Sequence, residues 1–156
     1  MHTADVFLLV LAAALLGYAV VGCGRRPGVA GVRASAALTP GVLNIAVTQA
    51  TVGSTICRRG WTRTIRPPTS YTSALKQRQL ADYGETGPAS AYQEDHLISL
   101  ELGGHPTDPR NLWPEPYPRA SQVDTIENDL NRRVCDGSLT LADAQVQESA
   151  LKHGRG

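Results

Sequence analysis

Asp95 and His96 stand side by side in this chain, and Asn111 follows after fourteen intervening residues. A carboxylate is a hard oxygen ligand for a divalent cation. An imidazole titrates near neutral pH and so serves as a general base. A later Asn can hold that imidazole still through its side-chain amide. Cation anchor, base and orienter are the parts a one-metal phosphodiesterase needs to activate water and stabilise charge on a phosphate.

The elements that must position these residues follow from pattern. His96-Leu97-Ile98-Ser99-Leu100 reads as a short apolar strand, with Gly103-Gly104 and Pro106-Thr107-Asp108-Pro109 as a turn-rich loop behind it. Ala120 to Val134 is the clearest helix, because Val123, Ile126, Leu130 and Val134 recur at three and four, and Gly137 breaks it. Ser138 to about Leu151 reads as a final helix, with Thr140 as its cap before Ala142, Ala144, Val146 and Ala150. Upstream, Ser70 to Tyr83 has helical spacing through Tyr71, Ala74, Leu75 and Leu80, with Gly84 as the stop. β-Branched residues from Val42 to Ile56 predict one or two short strands. Trp61-Thr62-Arg63-Thr64-Ile65-Arg66 alternates with period two and predicts another, closed by Pro67-Pro68.

At 156 residues the chain is one domain plus extensions. The net charge of +1 does not mark a nucleic-acid binder, but the charges are unevenly spread. Arg58, Arg59, Arg63, Arg66, Lys76 and Arg78 fall in a stretch with no Asp or Glu, and acids concentrate from Asp82 onward. A basic segment beside an acidic one suits a polyanion held by one part and cut by the other; taken alone, the basic stretch is equally a solvated loop.

Val6 to Gly22 is an uncharged apolar run ending in Val20-Val21-Gly22-Cys23, which looks like a bacterial lipobox with Cys23 as the lipidated residue. Arg25 and Arg26 lie after the run and MHTAD before it carries an acid, the reverse of an ordinary export signal. A cleaved lipoprotein signal over 1–23, a retained membrane anchor and a misassigned start codon all stay open. Export or membrane tethering is the expected location. Residues 24–44 read as a disordered Gly/Ala/Arg linker and 45–151 as the domain. Cys57 and Cys135 remain as an even pair, read as one disulfide outside the cytoplasm. That bridge would close a loop of nearly eighty residues, a constraint of roughly 4 kcal/mol.

Strand, glycine-rich loop and helix, carrying His, Asn and acids in that order, resemble the HNH (His-Me finger) endonucleases. The blocks are Glu94-Asp95-His96-Leu97-Ile98-Ser99-Leu100-Glu101-Leu102-Gly103-Gly104, then Asn111-Leu112-Trp113-Pro114-Glu115, then Arg132-Arg133-Val134-Cys135. The resemblance extends upstream through Thr55-Ile56-Cys57 and Arg66-Pro67-Pro68-Thr69-Ser70-Tyr71, to small exported bacterial members of that group. It implies an α+β fold with a ββα-metal core. It also implies His96 as general base, Asn111 as the residue that holds the turn bearing the base, and Asp95 as cation ligand. The usual third-position His falls at Ala120, and a further ligand one turn on falls at Asp124. Two carboxylates favour Mg²⁺ or Mn²⁺, with Zn²⁺ the softer option. The implied activity is metal-dependent endonuclease action on DNA, with RNA a second substrate class. The alternative is a non-catalytic envelope-associated binding protein on a degenerate scaffold, suggested by Ala120 and the short C-terminus.

Each residue also has a plainer reading. His96 could be a plain strand histidine, Asp124 an exposed helix acid, Glu94 and Glu101 either supports behind the ligands or solvated, Trp113 packed under the loop rather than stacked on a substrate, and His105 a solvated turn residue.

Overall fold

The computed structural model describes residues 33–154. The apolar run, Cys23 and the first part of the expected linker lie outside these residues. The described chain is a mixed α+β structure whose centre is a two-stranded antiparallel hairpin followed by helices. Strand β1 is Tyr92–His96 and β2 is Leu112–Pro116, in register Asp95 with Trp113 and His96 with Leu112. Helices α1 (Trp61–Ile65) and α2 (Thr69–Asp82) precede the hairpin; α3 (Tyr117–Cys135) and α4 (Leu141–His153) follow it.

Two helix ends match their sequence signals. Gly137 sits at φ +80° just past α3, a conformation that costs glycine little. The Thr140 side chain accepts from the Asp143 amide at the start of α4. The buried faces are less conventional. In α3 they are Ala120, Val123, Glu127, Leu130 and Val134, while Ile126 is 42 % exposed. In α4 they are Leu141, Ala144, Glu148 and Lys152, while Val146 is 69 % exposed. Each stripe therefore places a carboxylate inside the molecule.

Several expected elements differ. The strand that should run from His96 to Leu100 ends at His96, and Leu100–Leu102 is a turn of 3₁₀ helix. Asn111 explains the break: its side chain bonds both the amide and the carbonyl of Ile98, replacing a strand partner. No strand forms from Val42 to Ile56, apart from a single bridge between Leu43 and Gly104. There the Thr hydroxyls close turns instead, with Thr51 Oγ1 accepting from the Thr48 amide and Thr55 Oγ1 donating to the Thr51 carbonyl. Trp61–Ile65 is a helix rather than a strand. The two residues lie four apart, on one helical face, and the helix stops before Pro67 because the residue preceding a proline avoids the α region. Residues 33–44, expected as disordered linker, pack onto the domain: Ala34 donates to the Lys152 carbonyl, Ser35 to the Tyr83 hydroxyl, and Thr39 is fully buried. The folded unit thus begins at least as early as residue 33, not 45.

The main core joins Val47, Ile56, Ile98 and Leu102 to Leu130, Val134, Leu141 and Ala144. The Cys57–Cys135 disulfide is present, linking the segment before α1 to the end of α3 beside that core. Trp113 is fully buried and lies 6.2 Å from the Tyr83 ring, which bears out its packing role.

Gly104 is the tightest point of the hairpin loop. A Cβ there would fall 1.7 Å from the Ile98 carbonyl oxygen and 2.7 Å from Asn111 Nδ2. Gly104→Ala should therefore cost roughly 3 kcal/mol or more, the scale of a disrupted buried hydrogen-bond network. Gly53→Ala, where a Cβ meets nothing within 4 Å, should stay within about 0.5 kcal/mol. Urea unfolding of both variants checks the contrast, and equal costs would contradict it.

Candidate active site

His96 closes β1 with its ring 3.0 Å, through Nε2, from the Pro106 carbonyl oxygen. A carbonyl only accepts, so Nε2 carries the proton and Nδ1 is left as the basic nitrogen. The Pro106 carbonyl is itself held in place. Asn111 Nδ2 donates to the carbonyls of Ile98 and His105, each at 3.0 Å, and Asn111 Oδ1 accepts from the Ile98 amide at 3.0 Å. His105 extends the brace: its Nδ1 accepts from the amides of Thr107 and Asp108. It is a loop cap rather than a solvated residue. Burial pushes the His96 pKa down; Pro106 and Asp95 oppose the shift, while Lys152 and Arg66 reinforce it. The imidazole is thus neutral at neutral pH, the form a base requires.

Asp95 is clasped by a residue the sequence reading passed over. Lys152 reaches in from α4 with its side chain fully buried, its Nζ 2.8 Å from Asp95 Oδ2 and 3.4 Å from Glu148 Oε1. It also lies 2.5 Å from Glu127 Oε1, as an ion pair without hydrogen-bond geometry, and donates to the His96 carbonyl. Burial alone would discharge the ammonium, but Asp95, Glu148, Glu127 and Glu115 hold its pKa well above the usual lysine value. For Asp95, burial is the largest influence and acts upward; the Lys152 charge, hydrogen bonds from Glu115 and Lys152, and the charge of His96 together outweigh it and bring the carboxyl down to about 2. The remaining carboxyls absorb the imbalance. Burial raises Glu127 and Glu148, and burial with the charge of Asp95 raises Glu115 to about 8.

Asp95, His96 and Asp124 all line one polar cleft of about 260 Å³, together with Thr62, Arg66, Gln93, Ser99, Leu100, Glu101, Glu127 and Asn128. A second recess of about 240 Å³ shares Arg66, Gln93, Asp95 and His96 and adds Pro67, Thr69, Thr72 and Glu94. Asp124 is on the exposed side of α3, and burial with the charge of Asp95 raises its pKa. Glu101 is raised to about 7 by burial and by Glu127 and Asp124. Carboxyls that raise one another in a cleft form a negative field suited to a cation. All the donors are oxygens or one imidazole, a set that fits Mg²⁺ or Mn²⁺ better than Zn²⁺. Among the described residues no three His, Cys, Asp or Glu side chains converge as a complete ligand set. A cation here would be held by Asp95 and Asp124, its shell completed by water and substrate. Ala120 is buried and lies outside the lining.

The basic segment divides. Arg66 lines both recesses. Arg58, Arg59 and Arg63 are exposed and line neither, Lys76 donates to the Tyr92 carbonyl at 2.8 Å, and Arg78 lines a separate cavity with Tyr83 and Arg110. Lys152, Glu127 and Glu148 left one trace in the sequence. Glu148 and Lys152 extend the Leu141–Ala144 spacing, as Glu127 extends Val123, so an apolar stripe that continues into charge marks the site. The chain matches no protein-family model, no curated protein and no solved structure.

Glu94 has both carboxyl oxygens buried without a hydrogen-bond partner, and burial raises its pKa from 4.5 to about 8. A carboxyl raised on folding contributes its full stability below about pH 4.5 and loses it as pH climbs through 8. The urea midpoint should therefore fall between pH 5.5 and pH 8.5, and Glu94→Gln should lessen that fall. An equal fall in both proteins would assign it to Glu101 and Glu115 instead.

Proposed function

We propose that the protein is a metal-dependent endonuclease of the ββα-metal (HNH) kind, hydrolysing phosphodiester bonds of DNA and, as a second class, RNA. The observation that carries this reading is the His96 ring: Nε2 is committed to the Pro106 carbonyl, and the ring borders a cleft that also holds Asp95, Asp124 and Arg66. Hairpin followed by helix, with the base at the end of β1 and Asn111 bracing the intervening loop, supports the same reading.

In this mechanism Nδ1 of His96 takes a proton from the attacking water, and Arg66 binds a non-bridging phosphate oxygen. Asp95 and Asp124 would hold the cation; Asp95 Oδ2 is committed to Lys152, while Oδ1 is approached only by Gln93 Nε2, at 3.4 Å. The bound cation would supply charge stabilisation at the phosphate and at the leaving oxygen. The products are 5′-phosphate and 3′-hydroxyl ends. The Cys57–Cys135 disulfide supports a site of action outside the cytoplasm.

A second reading, a non-catalytic binding protein on this scaffold, is favoured by Lys152, which already neutralises Asp95. Nicking of supercoiled plasmid by the full chain, disulfide intact, separates the two. The nuclease reading expects Mg²⁺- or Mn²⁺-dependent nicking that a chelator abolishes. His96→Ala should lower the rate by about 10²–10⁴-fold, and Arg66→Ala should raise KM for the plasmid. Native activity retained in His96→Ala would defeat the mechanism, and an inert native protein would leave the binding reading.

A further inference from the structure

We infer that Lys152 is the positioning residue of this site: its ammonium holds the Asp95 carboxylate and the His96 backbone carbonyl in one grip, so that α4 fixes cation ligand and base relative to each other. The inference deepens the nuclease reading and rests on it for the meaning of the positions, not for the grip itself.

Three observations carry it. Nζ serves adjacent residues of β1 through different groups, the side chain of Asp95 and the main chain of His96. His96 is therefore anchored twice, its backbone by Lys152 and its ring by Pro106. Second, Lys152 is absent from the lining of the cleft, so it acts through Asp95 and His96 rather than on a substrate. Holding Asp95 by Oδ2 also determines which oxygen is left to turn toward the cleft. Third, the grip is not needed to dock α4. Leu141 and Ala144 pack into the core, Gln145 Nε2 donates to the Leu102 carbonyl, and Arg119 donates to the Leu151 carbonyl. A buried ammonium costs far more to desolvate than an apolar side chain of similar size, and a Met would fill the same space. What Met cannot do is donate to Asp95 and His96 at once.

The test uses the full chain with ¹⁵N-labelled histidine, comparing native protein, Lys152→Met, and Glu148→Gln/Lys152→Met. The double variant removes one of the carboxylates left facing the lost cation, and Gln can keep the Glu148 bond to the Ser99 amide. Long-range ¹H–¹⁵N spectra should show His96 as a single Nε2–H tautomer in native protein and as a mixture in folded Lys152→Met. At saturating Mn²⁺, kcat for plasmid nicking should fall at least 100-fold with KM within threefold. A folded variant that keeps one tautomer and a kcat within twofold of native overturns the inference. If only the double variant folds, the same thresholds apply to it. If neither folds, native protein labelled with ¹⁵N-lysine and ¹³C-carbonyl histidine decides: a coupling across the hydrogen bond between the Lys152 ammonium and the His96 carbonyl carbon upholds the grip, and its absence refutes it. Should native protein nick nothing, the nuclease reading fails, while tautomer and coupling still judge Lys152.

Discussion

The side chain of Asn111 does what regular secondary structure cannot do between the two strands. The loop from Leu97 to Arg110 has no sheet partner beyond the single Leu43–Gly104 bridge, yet its turn backbone is buried and must be satisfied. One fully buried amide bonds Ile98 on both its N–H and its C=O, and bonds His105 as well. Gly104 lets the loop approach this close. Pro106 follows His105 directly, so its carbonyl lies where the His96 ring can reach it. The tautomer of an imidazole is often a free choice; here it is set by a loop that a single Asn closes and by the anchored backbone of His96, and the hairpin's stability depends on the same few hydrogen bonds.

Electrostatics add a second layer. Strand β1, helix α3 and helix α4 each send a carboxylate to Lys152: Asp95, Glu127 and Glu148. One cation cannot fully neutralise three acids with Glu115 nearby, and the structure resolves the excess unequally. Asp95 keeps its charge, while burial raises the others. The cleft outside repeats the pattern with Asp124 and Glu101, where there is room for a cation to enter. The inner cage is thus closed with a built-in cation and the outer cleft is left electron-rich.

Much of this was legible in the sequence because it rests on local rules. The helices around 69–82, 117–135 and 141–153 follow from spacing, glycine stops and the Thr140 cap. The closeness of Asp95 and His96 is given by adjacency, but Asn111 bonds the loop at Ile98 and His105 rather than the His96 ring, whose Nε2 meets the Pro106 carbonyl instead. The misses share a cause. The β-branched residues of 42–56 signalled strands, but strands need partners, and hydroxyls such as that of Thr51 found turn carbonyls instead. For α4 the pattern suggests Ala142, Ala144, Val146 and Ala150, of which Ala144 is buried and Val146 exposed; burying Glu148 and Lys152 looks costly until their partners on other elements are known. Residues 33–44 carry no periodic pattern, and only the groups they meet, Tyr83 and Lys152 among them, give them a place.

Lys152 lies 57 residues beyond Asp95, which has a consequence for the order in which a nascent chain acquires its parts. A polypeptide emerges N-terminus first, so the hairpin, α3 and both disulfide cysteines leave the ribosome ahead of α4. Until α4 arrives, Asp95, Glu127 and Glu115 face one another with no ammonium between them, and the geometry of Asp95 and His96 is not yet set. The covalent frame can close before α4 docks, and the acid cluster gains its cation only when Lys152 arrives. The order of synthesis thereby makes the inner cage the last part of the described domain to be completed.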